Sequence, residues 1–202
     1  MITEKLKEKL LSMGYTVKVF DTKKDATEYL TYTLKGESVG FGGSMTLTEM
    51  GLYEKLCDQG CEVFWHWKPQ DGRTQNETRA LAGNAKVYIS SANALSENGE
   101  IINIDGTGNR LSECLYGHEK VFFVIGQNKI AEDYDSALYR ARNVASPKNA
   151  QRMNRKTPCA KDGNKCYDCN SPERICRALS VLWTKPMGCE YEIILVKEDL
   201  GY

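Results

Sequence analysis

Seven short runs rich in β-branched and aromatic residues recur along the chain with helical segments between them, and this alternation restricts the fold more than any other feature. The runs are Thr16–Phe20, Ser38–Phe41, Cys61–Trp65, Lys86–Ser90, Glu100–Ile104, Lys120–Ile125 and Tyr191–Val196. Each is too short for a stable helix and of ordinary length for a strand. Between Thr3 and Met13 the apolar residues Leu6, Leu10, Leu11 and Met13 fall near helical spacing, and Gly14 stops the pattern. Further helices are expected over Lys24–Leu34, from Thr46 to about Gly60, over Thr74–Leu81 and over Asp133–Val144. Strands alternating with helices predict a three-layer α/β fold, a mostly parallel sheet covered on both faces. The 202 residues are expected to form one domain, large enough to bury a core without disulfides. Residues from about 157 to 178 break the rhythm and read as a cysteine-rich insertion before the closing strand.

Charge narrows the function. Lysine plus arginine and aspartate plus glutamate number 27 each, so the chain lacks the broad positive field with which nucleic-acid binders meet phosphate backbones. No stretch approaches the ~20 apolar residues that cross a bilayer, and the opening run from Met1 to Lys5 is charged and unlike a signal segment. No nucleic acid and no membrane are expected as partners, and a cytoplasmic location is. Thiols are kept reduced there, so the eight cysteines read as ligands and buried thiols.

Four of those cysteines, Cys159, Cys166, Cys169 and Cys176, stand in one polar loop rich in turn residues and include a Cys-x-x-Cys pair. Such a loop has no apolar core of its own, and four sulfurs meeting at one centre would staple it. Zinc would close a tetrahedral thiolate site with a structural role, whereas a [4Fe-4S] cluster would bring electron transfer. Spacing leaves both open, with a lean to iron–sulfur. Cys57, Cys61, Cys114 and Cys189 sit among helical or apolar neighbours and read as core.

Three further segments gather polar residues where strands end, the edge at which open α/β sheets place ligands. Gly42, Gly43, Ser44, Thr46 and Glu49 form a glycine-rich turn that leaves a strand and enters a helix, an arrangement suited to a phosphate or carboxylate. Thr46 and Glu49 equally match a capping box, so Glu49 is read as ligand contact or cap alike. Asn93, Glu97, Asp105, Asn109 and Arg110 follow, with Glu97 and Asp105 as candidate acid, base or nucleophile. Read locally, Asn98–Gly99 is a hairpin turn, and Asp105–Gly106 a turn before a helix capped by Asn109. Asn128 and Lys129 emerge after the strand ending at Ile125, with Lys129 placed to neutralise an anion. Arg140 or Arg142 is expected to face the same crevice; His66 and His118 read as incidental, and Trp65, Trp67 and Trp183 as packing residues. The ligand class implied is a small anionic metabolite.

Five ordered motifs, Gly42–Leu47, Ser91–Gly99, Asn103–Arg110, Gly126–Lys129 and Arg140–Ala150, together with the terminal Glu198–Gly201, resemble the LUD-domain family, also called DUF162. The resemblance implies the sheet architecture shared by ribose-5-phosphate isomerase, glucosamine-6-phosphate deaminase and coenzyme A transferases. It also implies a connection with lactate and organic-acid utilisation, where lactate utilisation protein C works beside iron–sulfur protein partners. The cysteine loop sets this chain apart from that better-known member and places it in a short subgroup. Ser96–Gly99 resembles the glutamate motif of coenzyme A transferases, which points to Glu97 as a nucleophile. The alternatives to a redox-associated protein are thus a transferase or sugar-phosphate isomerase with a structural zinc, or a non-catalytic subunit of an oxidoreductase complex. A homo-oligomer is left open.

Overall fold

The computed structural model describes residues 2–202, so Met1 of the charged opening run lies outside it. In chain order the elements are α1 (Glu4–Ser12), β1 (Thr16–Phe20), α2 (Lys23–Thr33), β2 (Ser38–Phe41), α3 (Met45–Met50), α4 (Leu52–Asp58), β3 (Glu62–Trp65), α5 (Gln75–Gly83), β4 (Val87–Ser90), β5 (Ala94–Ser96) and β6 (Ile101–Asp105). They continue with α6 (Asn109–Glu113), β7 (Lys120–Gly126), β8 (Ile130–Ala131), α7 (Tyr134–Arg140), a π-helical turn (Ala141–Ala145), α8 (Ser146–Arg152), α9 (Pro158–Asp162), β9 (Ala178–Leu182) and β10 (Glu190–Val196).

Six strands pair in the order β1-β10-β7-β4-β2-β3, all parallel. Alternation along β7 shows why both faces are covered. Val121, Phe123 and Ile125 enter one core with Leu6 and Leu10 of α1, while Phe122 and Val124 enter the other with Leu30 of α2 and Leu47 of α3. The three-layer, mostly parallel α/β architecture is therefore present.

A second sheet stands beside it, in the order β8-β5-β6-β9. Its β5–β6 and β6–β9 pairs are antiparallel. Leu95, Ile101 and Leu182 join the first core, and Ala94 and Ile102 on the other face pack against Ala137 and Ala141. The run at 100–104, read from sequence as part of the main sheet, belongs to this second one. The expected helix from Thr46 to Gly60 is two helices, because Gly51 turns left-handed (φ 62°) between them. The expected helix at 133–144 widens after Arg140 into a π turn. Pro147 has no N–H to offer the preceding turn, and Ala141 O accepts both the backbone N–H of Ser146 and its Oγ (2.9 Å). Among the described residues no helix is long and apolar enough to cross a membrane.

Candidate functional site

A cavity of about 650 Å³ opens where the carboxyl ends of the parallel strands meet the second sheet and the cysteine-bearing loop. The segments that follow β2, β3 and β4 bring Gly43, then His66 and Trp67, then Asn93 to its wall. Six of the chain's nine arginines line it: Arg79, Arg110, Arg152, Arg155, Arg174 and Arg177. Of these, Arg110 alone forms an ion pair among the described residues, with Asp105 at 3.1 Å. The carboxylates on the wall are Asp105 and Glu173. A chain with no net charge thus concentrates cations in one hollow. Unpaired guanidiniums held close together repel, and an anion that takes their donors relieves that repulsion.

The sequence-expected residues divide. Gly43, Asn93, Asp105 and Asn109 do line the cavity. Asp105 is no free base, because its Oδ1 accepts the N–H groups of Thr107 and Gly108 (both 2.9 Å) and its Oδ2 accepts Arg110 Nε. Burial pushes its carboxyl up, but the Arg110 charge and those N–H donors outweigh burial and hold it below the usual carboxylate range. Its observed role is to fix a turn and aim Arg110, whose Nη2 also donates to Ile104 O (2.6 Å). Asn109 does not cap α6; Gly108 occupies that position and Asn109 begins the helix.

Glu97 stands apart. With Asn98, Gly99 and Glu100 it forms the four-residue connection between β5 and β6, at the opposite end of β6 from Asp105, and it is not part of the cavity wall. Gly99 (φ 98°) completes the turn against Met13.

The glycine turn also differs from its reading as an anion cradle. A Cβ on Gly42 would lie 2.5 Å from Ser90 Oγ, and one on Gly43 would lie 3.0 Å from the Trp67 ring, so both glycines serve close packing. Ser44 caps α3 by accepting from Leu47 N (3.3 Å), and the capping box expected at Thr46 and Glu49 is not formed. Those side chains bind residues 200–201 instead. Thr46 Oγ1 donates to Leu200 O (3.1 Å), Glu49 Oε2 accepts from Gly201 N (2.9 Å), and Asn128 both accepts from Leu200 N and donates to Gly201 O (3.1 Å each).

Beneath that segment Lys129 is buried, donating to Thr46 Oγ1 (2.7 Å) and Ser91 Oγ (2.9 Å) with no ion-pair partner among the described residues. Burial, with the nearby charges of Arg140 and Arg110, pulls its ammonium down to about 7 against a weaker opposing pull from Glu49. Of Arg140 and Arg142, one of which was expected to face the crevice, Arg140 is spent on the backbone carbonyls of Asn93 and Asn128. Arg142 turns to the cysteines.

Sequence reasoning missed His66 and Trp67, and five of the six cavity arginines. His66 is buried, and its Nδ1 has no hydrogen-bond partner. Burial and the charge of Arg79 lower its imidazole to about 4, so it is neutral near pH 7. The guanidinium of Arg152 lies 4.5 Å over the Trp67 ring, and its Nε donates to Tyr202 Oη (2.7 Å). Trp183, read as a packing residue, is exposed.

All eight cysteines are free. Cys159, Cys166, Cys169 and Cys176 together line a second, small cavity beside the first. Arg142 of the π turn and Ser146, Pro147 and Ala150 of α8 also line it; nearby, Asn143 Oδ1 accepts from Cys166 N (3.0 Å) and Arg142 Nη2 approaches Cys166 Sγ (3.8 Å). Asp168 N donates to Cys166 Sγ (3.3 Å), as the left-handed Asp168 (φ 47°) allows, and Arg174 Nη2 donates to Cys176 Sγ (3.4 Å). Among the described residues no three His, Cys, Asp or Glu side chains are grouped so as to hold a metal ion.

Comparison with known proteins agrees with this architecture. No curated protein matches the chain. Among solved structures, the crystal structure of a DUF162 family protein from Deinococcus radiodurans superposes with a TM-score of 0.53 at 12% identity, covering 96% of this chain and 94% of that one. At that identity the likeness concerns the fold. The family model described as the LUD domain matches residues 3–196, and the chain therefore belongs to the LUD-domain family.

Proposed function

We propose that this LUD-domain protein is a redox-associated component of organic-acid metabolism that binds a small, multiply charged anionic metabolite in the arginine cavity and an iron–sulfur centre at its four-cysteine loop. The observation that carries the reading is the gathering of six arginines, five without a carboxylate partner among the described residues, around one hollow of about 650 Å³. That volume lies in the ~300–1,000 Å³ range of small-molecule sites. Guanidinium forks suit carboxylate and phosphate oxygens, and Trp67 offers an apolar wall beside them.

The cysteine loop offers the thiolate donors that either zinc or a cubane takes, and the reading adopted is the cubane. A tetrahedral zinc with ~2.3 Å bonds needs sulfurs about 3.8 Å apart, whereas a cubane spreads its four sulfurs around a larger body. Here all four thiols edge one cavity. The donors aimed at Cys166 and Cys176 are of the kind that offset thiolate charge and tune such a centre. A cluster there would supply one-electron transfer. The transferase or isomerase reading has less support, since Glu97 lies outside the cavity wall and Asp105 already accepts three hydrogen bonds, one of them from the guanidinium it pairs with.

Two measurements test the proposal. Titration with inorganic pyrophosphate, followed by the joint emission of the stacked Trp65 and Trp67 in a Trp183→Phe background, should saturate. Arg155→Gln, which removes a guanidinium whose buried Nε has no hydrogen-bond partner, should weaken it about 10- to 100-fold, the worth of one charge-assisted hydrogen bond. No saturation at millimolar pyrophosphate would remove the cavity from the proposal. Anaerobic reconstitution with iron and sulfide should give a brown protein, and the Cys166→Ser/Cys169→Ser double variant a colourless one. A wild-type protein that stays colourless and carries one zinc would sink the iron–sulfur assignment.

A further inference from the structure

The two cavities share a wall. Ser146, Arg174 and Ile175 line both the arginine cavity and the four-cysteine cavity. The strip from Pro172 to Arg177 is seated by its backbone: Arg177 N donates to Asp105 O (3.0 Å), and a Cβ on Gly106 would lie 2.9 Å from Ile175 O. Gly106 therefore allows the cysteine loop to close against the turn that carries Asp105. Along this strip the side chains of Arg174 and Arg177 face the anion cavity, and that of Cys176 faces the thiol cavity.

Arg174 belongs to both sides. Its Nε donates to Cys176 O (3.1 Å) and its Nη2 to Cys176 Sγ (3.4 Å). A guanidinium carries five N–H donors, so hydrogens remain for an anion in the larger cavity. It forms no ion pair among the described residues.

We infer that Arg174 is a positioning residue through which the centre at the four cysteines and the anion cavity oppose each other: reducing the centre weakens anion binding, and a bound anion makes the centre harder to reduce. The inference rests on the proposed function above. A cluster held by the four cysteines would, on gaining one electron from a one-electron donor, make and break no bond and leave its cysteine sulfurs more negative. Cys176 Sγ then holds Arg174 more strongly, which takes a donor from the cavity while the added charge repels the anion across the shared wall. Direct repulsion and competition for Arg174 act in the same direction. At an effective dielectric near 20, two unit charges about 10 Å apart shift an equilibrium by about tenfold. Linkage requires the reciprocal effect on reduction to be equal, and tenfold corresponds to ~59 mV for one electron.

The test uses the reconstituted full-length chain. Pyrophosphate affinity is measured by calorimetry before and after reduction with dithionite, and the midpoint potential by spectroelectrochemistry with and without pyrophosphate. About tenfold weaker binding on reduction is expected, with a potential lowered by ~59 mV at saturating anion. Arg174→Gln should leave the visible spectrum intact and cut the coupling to about threefold or less. If that variant fails to fold, the reciprocal potential shift in the wild type still decides. Equal affinities in the two redox states, or tighter binding on reduction, overturn the coupling alone. An undiminished coupling in a folded Arg174→Gln overturns the role of Arg174. Failure of pyrophosphate to bind, or absence of the chromophore, overturns the proposed function and this inference with it.

Discussion

Raising the pH from 6.5 to 8.5 is expected to stabilise the wild-type fold by an amount on the order of 2 kcal/mol that Lys129→Met does not show. Burial beneath residues 200–201 lowers the Lys129 ammonium to about 7, whereas an unfolded lysine titrates near ~10.4. Between those values the unfolded chain binds more protons than the folded one, so stability rises with pH. Below pH 7 both states are protonated and the full cost of the buried charge is present. The gain is bounded above because Cys114, whose thiol burial pushes up to about 12, loses stability once the unfolded thiol ionises near pH ~8.5. The folded His66 imidazole, at about 4, shifts stability mainly below this window and adds about 0.4 kcal/mol within it, equally in both proteins, as the unfolded imidazole loses its proton above pH ~6.5. Methionine keeps the volume and removes the charge, leaving Thr46 and Ser91 without one donor each. Urea midpoints of both proteins across this range provide the check, and parallel curves would show that Lys129 keeps its proton with an ordinary affinity.

Gly40→Ala should cost about 3 kcal/mol, the upper part of the range for overpacking. A Cβ on Gly40 would run into the carbonyl oxygen of Ala82 in α5 and lie 2.9 Å from the ring of Tyr88, which is fully buried. Neither neighbour is the free end of a flexible side chain. Helix α5 must therefore lift from β2, and it carries Arg79 with it, so pyrophosphate affinity should fall as well. For a chain of this length, about 3 kcal/mol corresponds to a loss of roughly 6–12 °C in Tm. A calorimetric shift under about 2 °C would mean that α5 slides on the sheet without strain.

Much of the fold was legible in the residues. Ile193–Val196 and Val121–Ile125 are unbroken apolar runs because they lie in the middle of a parallel sheet buried on both faces. The strands that were missed are β5 and β8, with three and two residues, and β9, whose outward side chains break the alternation. Placing β6 in the second sheet was beyond reach, since Ile101–Asp105 carries the same apolar pattern whichever partner it takes. At Thr46 and Glu49 the capping-box spacing was correct chemistry in the wrong frame, because α3 starts at Met45 and Ser44 takes the cap.

The candidate site divides in the same way. Convergence of the four thiols was readable because 18 residues hold Cys159 through Cys176 in one loop, and a short tether keeps side chains close whatever the rest of the chain does. The arginine cavity was not, although Arg152 and Arg155 stand near one helix end and Arg174 and Arg177 flank Cys176. A net charge of zero conceals a local excess of cations when compensating carboxylates lie elsewhere. From sequence alone came the parallel α/β sheet and the thiol loop, both consequences of periodicity and short-range tethering. Tertiary structure alone decided that Arg79, Arg110, Arg152, Arg155, Arg174 and Arg177 share one hollow, that Lys129 is sealed from it, and that Glu97 is excluded. Periodicity tells which side of its own element a residue occupies; which elements meet is set by packing between segments far apart in the chain.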